Sequence, residues 1–199
     1  VPEIKLTKSY LSIIDTALLL FEKFGIRKVS VEEICRTAEV SKMTFYRSFK
    51  NKQELILRVI NHFNKVNLDQ YTSIMEEDIP FPDKIKNLVA AKHNANKLYS
   101  QEFISDLLNT KDLQIQELIE VQKHKGMELF KKDLIQAQKD GWIKKEFSIE
   151  FIMYYLETIQ QKLVDQRLFN LFRSTEELSD SLTNLFFYGI VSPERLDEV

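Results

Sequence analysis

Apolar positions recur at helical spacing from the start of the chain. Between about Leu6 and Phe24 they fall at Tyr10, Ile13, Ala17, Leu20 and Phe24, with Leu11, Ile14, Leu18 and Phe21 beside them. That is a wide stripe along one face of a helix. Gly25 follows the last periodic residue, where a helix can end in the left-handed conformation. Ser30 and Glu33 then form a capping box that opens a second, short helix with Ile34, Cys35 and Ala38 inward. Ser41 is the N-cap of a third, which carries Phe45 and Phe49 one turn apart on its inner side. Ala17, Phe21, Ile34, Ala38, Val40, Phe45 and Phe49 supply the core of a three-helix head.

A fourth helix is predicted from Gln53 to about Met75, with Leu55, Val59, Phe63 and Val66 near one face. The stretch 76–82 is a Pro-containing break. Further helices are predicted near 83–99, 101–109, 112–139, 148–171 and 175–190, with a turn at Gly141-Trp142-Ile143 and a cap at Ser148. After Pro82 the next proline is Pro193, so helices can run unbroken through this interval. The fold class is all-α. The domain reading is a head over 1–52 and a helical body over 53–199.

Composition narrows the class. The chain of 199 residues is 44% hydrophobic and 29% charged, which describes a globular protein. No apolar run approaches the roughly 20 residues that span a bilayer, and no secretory-signal progression opens the chain. The single cysteine, Cys35, excludes an internal disulfide and reads as a small core residue. The expected location is the cytoplasm, without membrane association. Residues 1–54 hold ten Lys or Arg against seven Asp or Glu, whereas the remainder holds 18 against 23. A basic N-terminal part on an acidic body directs the first part toward a polyanion.

Catalytic signatures are missing. His62, His93 and His124 show no i, i+4 pairing, and no P-loop, GxGxxG or GxSxG motif occurs. Glu102 and Asp106 are four apart but lack the histidine partners of a di-metal bundle. The expectation is a non-enzyme with no cofactor and no metal.

Residues 29–52 carry the functional signal. Two short helices joined by a tight turn form a helix-turn-helix, whose second helix enters the DNA major groove. Within 40–53 there are four basic residues, Lys42, Arg47, Lys50 and Lys52, and no acid. Phosphate neutralisation supplies affinity and base edges supply selection.

The segment from Ile13 to Leu55 resembles the DNA-binding domain of TetR-type transcriptional regulators. The correspondence runs through Ala17, Phe21, Gly25, Val29-Ser30-Val31, Ile34, Ala38, Val40-Ser41, Thr44-Phe45-Tyr46, Phe49, Lys52 and Leu55, in order and at family spacing. Three positions depart from the pattern. Glu39 stands where the family has Gly in the inter-helix turn, a strained choice if φ there is positive. Met43 replaces a small groove-facing residue, and Ser48 replaces an aromatic or His.

The resemblance implies roles. Lys42 reaches a guanine edge or nearby phosphate, Met43 packs on a thymine methyl, and Thr44 and Tyr46 offer hydroxyls to phosphate. Ser30 and Ser41 cap helices beside the backbone, Arg47 adds charge, and Lys52 neutralises phosphate from the start of the next helix. The resemblance also implies a helical body that homodimerises and encloses a pocket for a small-molecule effector. The stripes assigned to the dimer seam are Phe151, Ile152, Ile159 and Leu163 on one helix, and Leu178, Leu182, Leu185 and Phe186 on another. Aromatic and apolar pocket candidates are Phe63, Tyr99, Phe103, Met127, Phe130 and Tyr155. Polar candidates are His93, Asn96, Glu157 and Gln161. The functional expectation is a repressor that binds a palindromic double-stranded operator as a dimer and is released by an apolar or aromatic molecule. The alternative is a helical small-molecule or protein-binding module whose helix-turn-helix no longer reads DNA specifically.

Overall fold

A computed structural model describes residues 7–96, 100–162 and 166–190. In chain order the helices are α1 (Lys8–Phe24), α2 (Val31–Thr37), α3 (Lys42–Ser48), α4 (Lys52–Met75) and α5 (Phe81–Asn96). They continue with α6 (Gln101–Leu108), α7 (Leu113–Lys139), α8 (Ile149–Lys162), α9 (Gln166–Phe169) and α10 (Thr175–Ile190). The architecture is all-α, as the periodicity predicts. Two differences concern boundaries. The single helix expected over 148–171 is described as α8 and α9, with 163–165 outside the described residues; the expected end of the helix near 83–99 also lies partly outside them.

The starts follow side-chain chemistry. Thr7, Ser30, Ser41 and Ser100 each have extended backbone and accept a hydrogen bond from the N–H three residues on, at Tyr10, Glu33, Thr44 and Phe103. The stop of α2 is a Schellman motif: the Val40 N–H donates to the Cys35 carbonyl at 2.9 Å and the Glu39 N–H to the Arg36 carbonyl at 3.3 Å. The motif needs one left-handed residue, and Glu39 takes it with φ 54°. The same motif ends α7, where Trp142 donates to Ala137 and the left-handed residue is Gly141.

The chain packs as two compact units, one of residues 1–70 with 95–124, the other of 71–94 with 125–199. The expected division between 52 and 53 therefore falls inside the first unit. The reason is the core: Leu55, Ile56, Val59 and Ile60 of α4 are buried with Ile13, Phe21, Ile34, Phe45 and Phe49 of the head, and with Phe103 and Ile115. A cut after residue 52 would strip the head of that apolar cover. The second unit has its own core, in which Leu134, Ile143, Ile152 and Phe186 are buried together.

Candidate nucleic-acid interface

The recognition helix α3 is held from behind and offered in front. Phe45 and Phe49 are fully buried, their rings 5.5 Å apart, and Tyr10 of α1 stacks on Phe49 at 5.0 Å. These anchors fix which face of α3 points outward. On that face Met43 is 80% exposed and Tyr46 54% exposed, with Ser41, Lys42 and Arg47 exposed beside them and Thr44 half-buried. Tyr46 also packs edge-on against Phe45 at 5.2 Å, which leaves its hydroxyl end outward on a restrained ring. Large apolar side chains left this open on a surface mark an interaction site.

The hydroxyls of the two caps are partly occupied. Ser30 accepts from Glu33 N–H, while Ser41 accepts from Thr44 N–H and shares a 2.9 Å hydrogen bond with the Thr44 hydroxyl. Ser48 turns back to donate to the Thr44 carbonyl at 3.2 Å and is half-buried, so it serves the helix itself.

Two of the basic residues differ from expectation. Lys42 is exposed, but its ammonium donates to Glu32 of α2 at 2.5 Å. That hydrogen bond is the main cause that raises the Lys42 pKa and lowers that of Glu32. Sequence reading missed Glu32, because its relation to Lys42 depends on how α2 crosses α3. Lys52 is turned inward. Its ammonium donates to the Ile26 carbonyl at 2.6 Å and approaches that of Arg27 at 3.5 Å, and burial lowers its pKa. The side chain predicted to meet phosphate is thus committed to the turn between α1 and α2. Cys35 is buried, and burial raises its thiol pKa, which agrees with an inert core role.

The same turn receives α6. Asp106 accepts from the Arg27 backbone N–H at 2.8 Å and pairs with its guanidinium at 3.0 Å; Glu102 pairs with Lys28 at 3.0 Å. The carboxylate pair noted in the sequence is therefore a docking device for α6. Gly25 permits it: with φ 85°, a Cβ there would sit 2.8 Å from Glu102 Cβ.

The remaining predicted residues divide between the units. Phe63 and Phe103 meet edge to face at 6.0 Å and line a cavity of about 300 Å³ in the first unit. Met127, Phe130, Tyr155 and Glu157 belong to the second unit. There Phe130 packs edge-on against Tyr71, whose hydroxyl donates to Asp133; burial, then this bond, pushes the hydroxyl pKa upward. Tyr155 is exposed and stacks between Phe151 and Phe186, and Glu157 is exposed. Of the dimer-seam residues, Ile152, Leu178 and Phe186 are buried within the chain, so those side chains serve its own core. Phe151 and Leu185 are exposed, at 53% and 72%; Ile159 and Leu182 are half-buried. The side chains of His93, Asn96 and Gln161, together with Tyr99 and Leu163, lie outside the described residues. Among the described residues no cluster of His, Cys, Asp and Glu could hold a metal, and no helix is long and apolar enough to cross a membrane.

The geometry defines the class first: a helix-turn-helix module with a buried aromatic anchor and an outward recognition face. Residues 13–59 match the model of bacterial regulatory proteins of the tetR family. The HTH-type transcriptional regulator YuxN of Bacillus subtilis (strain 168), itself described as uncharacterised, is 32% identical over 109 residues. That match covers 54% of this chain but only 37% of YuxN. The fold extends further than the sequence likeness. The regulatory protein TetR from Rhodobacter sphaeroides superposes with a TM-score of 0.74 at 14% identity, covering 93% of this chain and all of that one. FadR from Bacillus subtilis, solved with stearoyl-CoA, gives 0.66 at 20% identity, covering 91% and 99%. Over residues 13–59 the sequence is similar to that of tetR-family regulatory proteins, and over most of the described chain the fold is similar to theirs.

Proposed function

We propose that the protein is a ligand-responsive transcriptional repressor that binds a palindromic operator as a homodimer. The observation that carries the reading is the outward face of α3, where Lys42, Met43, Thr44, Tyr46 and Arg47 stand over a buried Phe45–Phe49 anchor. An α-helix presented in this way fits the major groove, with its N-terminal residues toward base edges. Lys42 reads a guanine edge or phosphate after exchanging Glu32 for DNA; Met43 meets a thymine methyl; Thr44 and Tyr46 position the backbone, with Ser30 and Ser41 flanking. Among the described seam candidates on α8 and α10, Phe151 and Leu185 are exposed and open to a second copy. A two-fold operator needs two such modules about 34–36 Å apart, and an effector acts by preferring the state in which that spacing is lost. That FadR from Bacillus subtilis was solved with stearoyl-CoA supports a small-molecule effector here. The helix-turn-helix match over residues 13–59 supports action on DNA.

The test is selection of bound duplexes from a random pool with the wild type, Lys42→Ala and Tyr46→Phe. A palindrome that weakens or changes with Lys42→Ala supports the reading. Weak, salt-sensitive binding with no sequence recovered refutes it and leaves a helical binding module.

A further inference from the structure

The first unit holds an apolar cavity of about 300 Å³ whose walls come from the DNA-reading head and from α4, α6 and α7. Leu18 and Phe21 of α1 and Ile26 of the following turn form one side; Val59, Phe103 and Ile119 are among those facing them. Folded cores leave few voids larger than one water molecule. This one has room for on the order of ten water-sized groups. Its lining is almost wholly aliphatic and aromatic, and its polar side chains are Asn64, Gln122 and Lys123. Among the described lining residues none is acidic and Lys123 carries the one formal charge. Lys123 is exposed, and among the described residues it has no ion-pair partner within 4 Å. Gln122 is steadied by its donation to Asn61 at 3.2 Å.

An apolar chamber whose lining includes one cation and two amides has the chemistry of an anionic amphiphile site. We propose that this cavity binds a medium-chain carboxylate of about eight to twelve carbons, its tail among Phe21, Val59, Phe103 and Ile119 and its carboxylate on Lys123. The length follows from the volume, since a methylene takes roughly the space of a water. A cationic ligand would meet Lys123 with like charge, and an eighteen-carbon chain would overrun the cavity. The effector role rests on the repressor reading above; the binding itself does not. Leu18, Phe21 and Ile26 belong to the same core as Ile34 and Phe45, so an occupant acts on the seating of α2 and α3 directly. It shifts DNA binding to the extent that it favours a displaced α1.

The test is calorimetric titration of the full chain, without DNA, with decanoate, decanol, decylammonium and stearate. Decanoate is expected to bind once per chain, and more tightly than the other three. Lys123→Met, a surface change, is expected to weaken decanoate about five- to tenfold and to leave decanol unchanged. Ile119→Trp, checked for native helicity and melting, is expected to abolish both. No decanoate binding, equal affinity for decanoate and decanol, or indifference to Lys123→Met overturns the site. Decanoate binding with unchanged affinity for a selected operator overturns the effector role. Failure of the unliganded protein to select any operator overturns the repressor reading instead, and the calorimetry detects binding in either case.

Discussion

Glu39 is the point where the backbone and the side chain disagree. It is the left-handed residue of the Schellman motif that ends α2, with φ 54°, and the α7 motif uses Gly141 for the same task. An L-residue in this conformation carries about 1–2 kcal/mol of steric cost that glycine avoids. Glycine gives back about 0.5–1 kcal/mol through the extra freedom of its unfolded chain. Glu39 is exposed, so little packing is lost on removing it. Glu39→Gly is therefore expected to stabilise the protein by about 0.5–1 kcal/mol, a rise in Tm of about 1–4 °C for a chain of this size. Thermal and urea unfolding followed by helical circular dichroism measures this. Glu39→Ala is the control, because it removes the same charge but keeps the Cβ. A gain for Ala equal to that for Gly would assign the effect to charge. A loss of stability for Gly would refute the account of strain.

Gly25→Ala forces a Cβ against Glu102 in a backbone region nearly reserved for glycine; a loss of about 2–4 kcal/mol is expected in urea melts. Lys52→Ala strips the Ile26 carbonyl of its donor, so it is expected to lower stability by about 1–2 kcal/mol. A variant that loses only DNA affinity, with an unchanged melt, would restore Lys52 to the phosphate role. Glu32→Gln releases Lys42 from its acidic partner, and tighter operator binding with a salt dependence steeper by about one in log–log slope is expected. Binding titrations at several salt concentrations check it, and an unchanged slope would mean that Lys42 never meets phosphate.

Much of this structure is legible in the chain because it rests on local rules. The caps Ser30 and Ser41, the stop at Gly25 and the inward Phe45 and Phe49 are each decided within a few residues, and all appear where the pattern puts them. The strained Glu39 was visible too, once the turn residue was known to need positive φ. What local pattern hides is partnership across distance. Nothing near Lys42 announces Glu32 ten residues earlier, and nothing near Lys52 announces the Ile26 carbonyl. The exposed face of α10 raises the same difficulty, since periodicity marks Leu185 and Phe186 alike as apolar while packing buries only the second.

The turn over residues 25–28 shows which of these distant partnerships bear weight. Three side chains converge on it, Lys52 from α4 and Glu102 and Asp106 from α6, while the Ser100 backbone N–H donates to the Glu22 carbonyl at 2.7 Å just upstream. Their energies are unequal. The Lys28–Glu102 pair is open to solvent, and pairs of that kind contribute little. Asp106 is largely shielded and accepts a backbone N–H, so removing it leaves a donor without its partner. Gly25 sets the closeness of α6 itself. The coupling of α6 to the head therefore rests on Gly25 and Asp106 more than on the visible surface charges. A change at the floor of the neighbouring cavity, which Phe103 and Leu107 of α6 line, reaches the recognition helix through that short route.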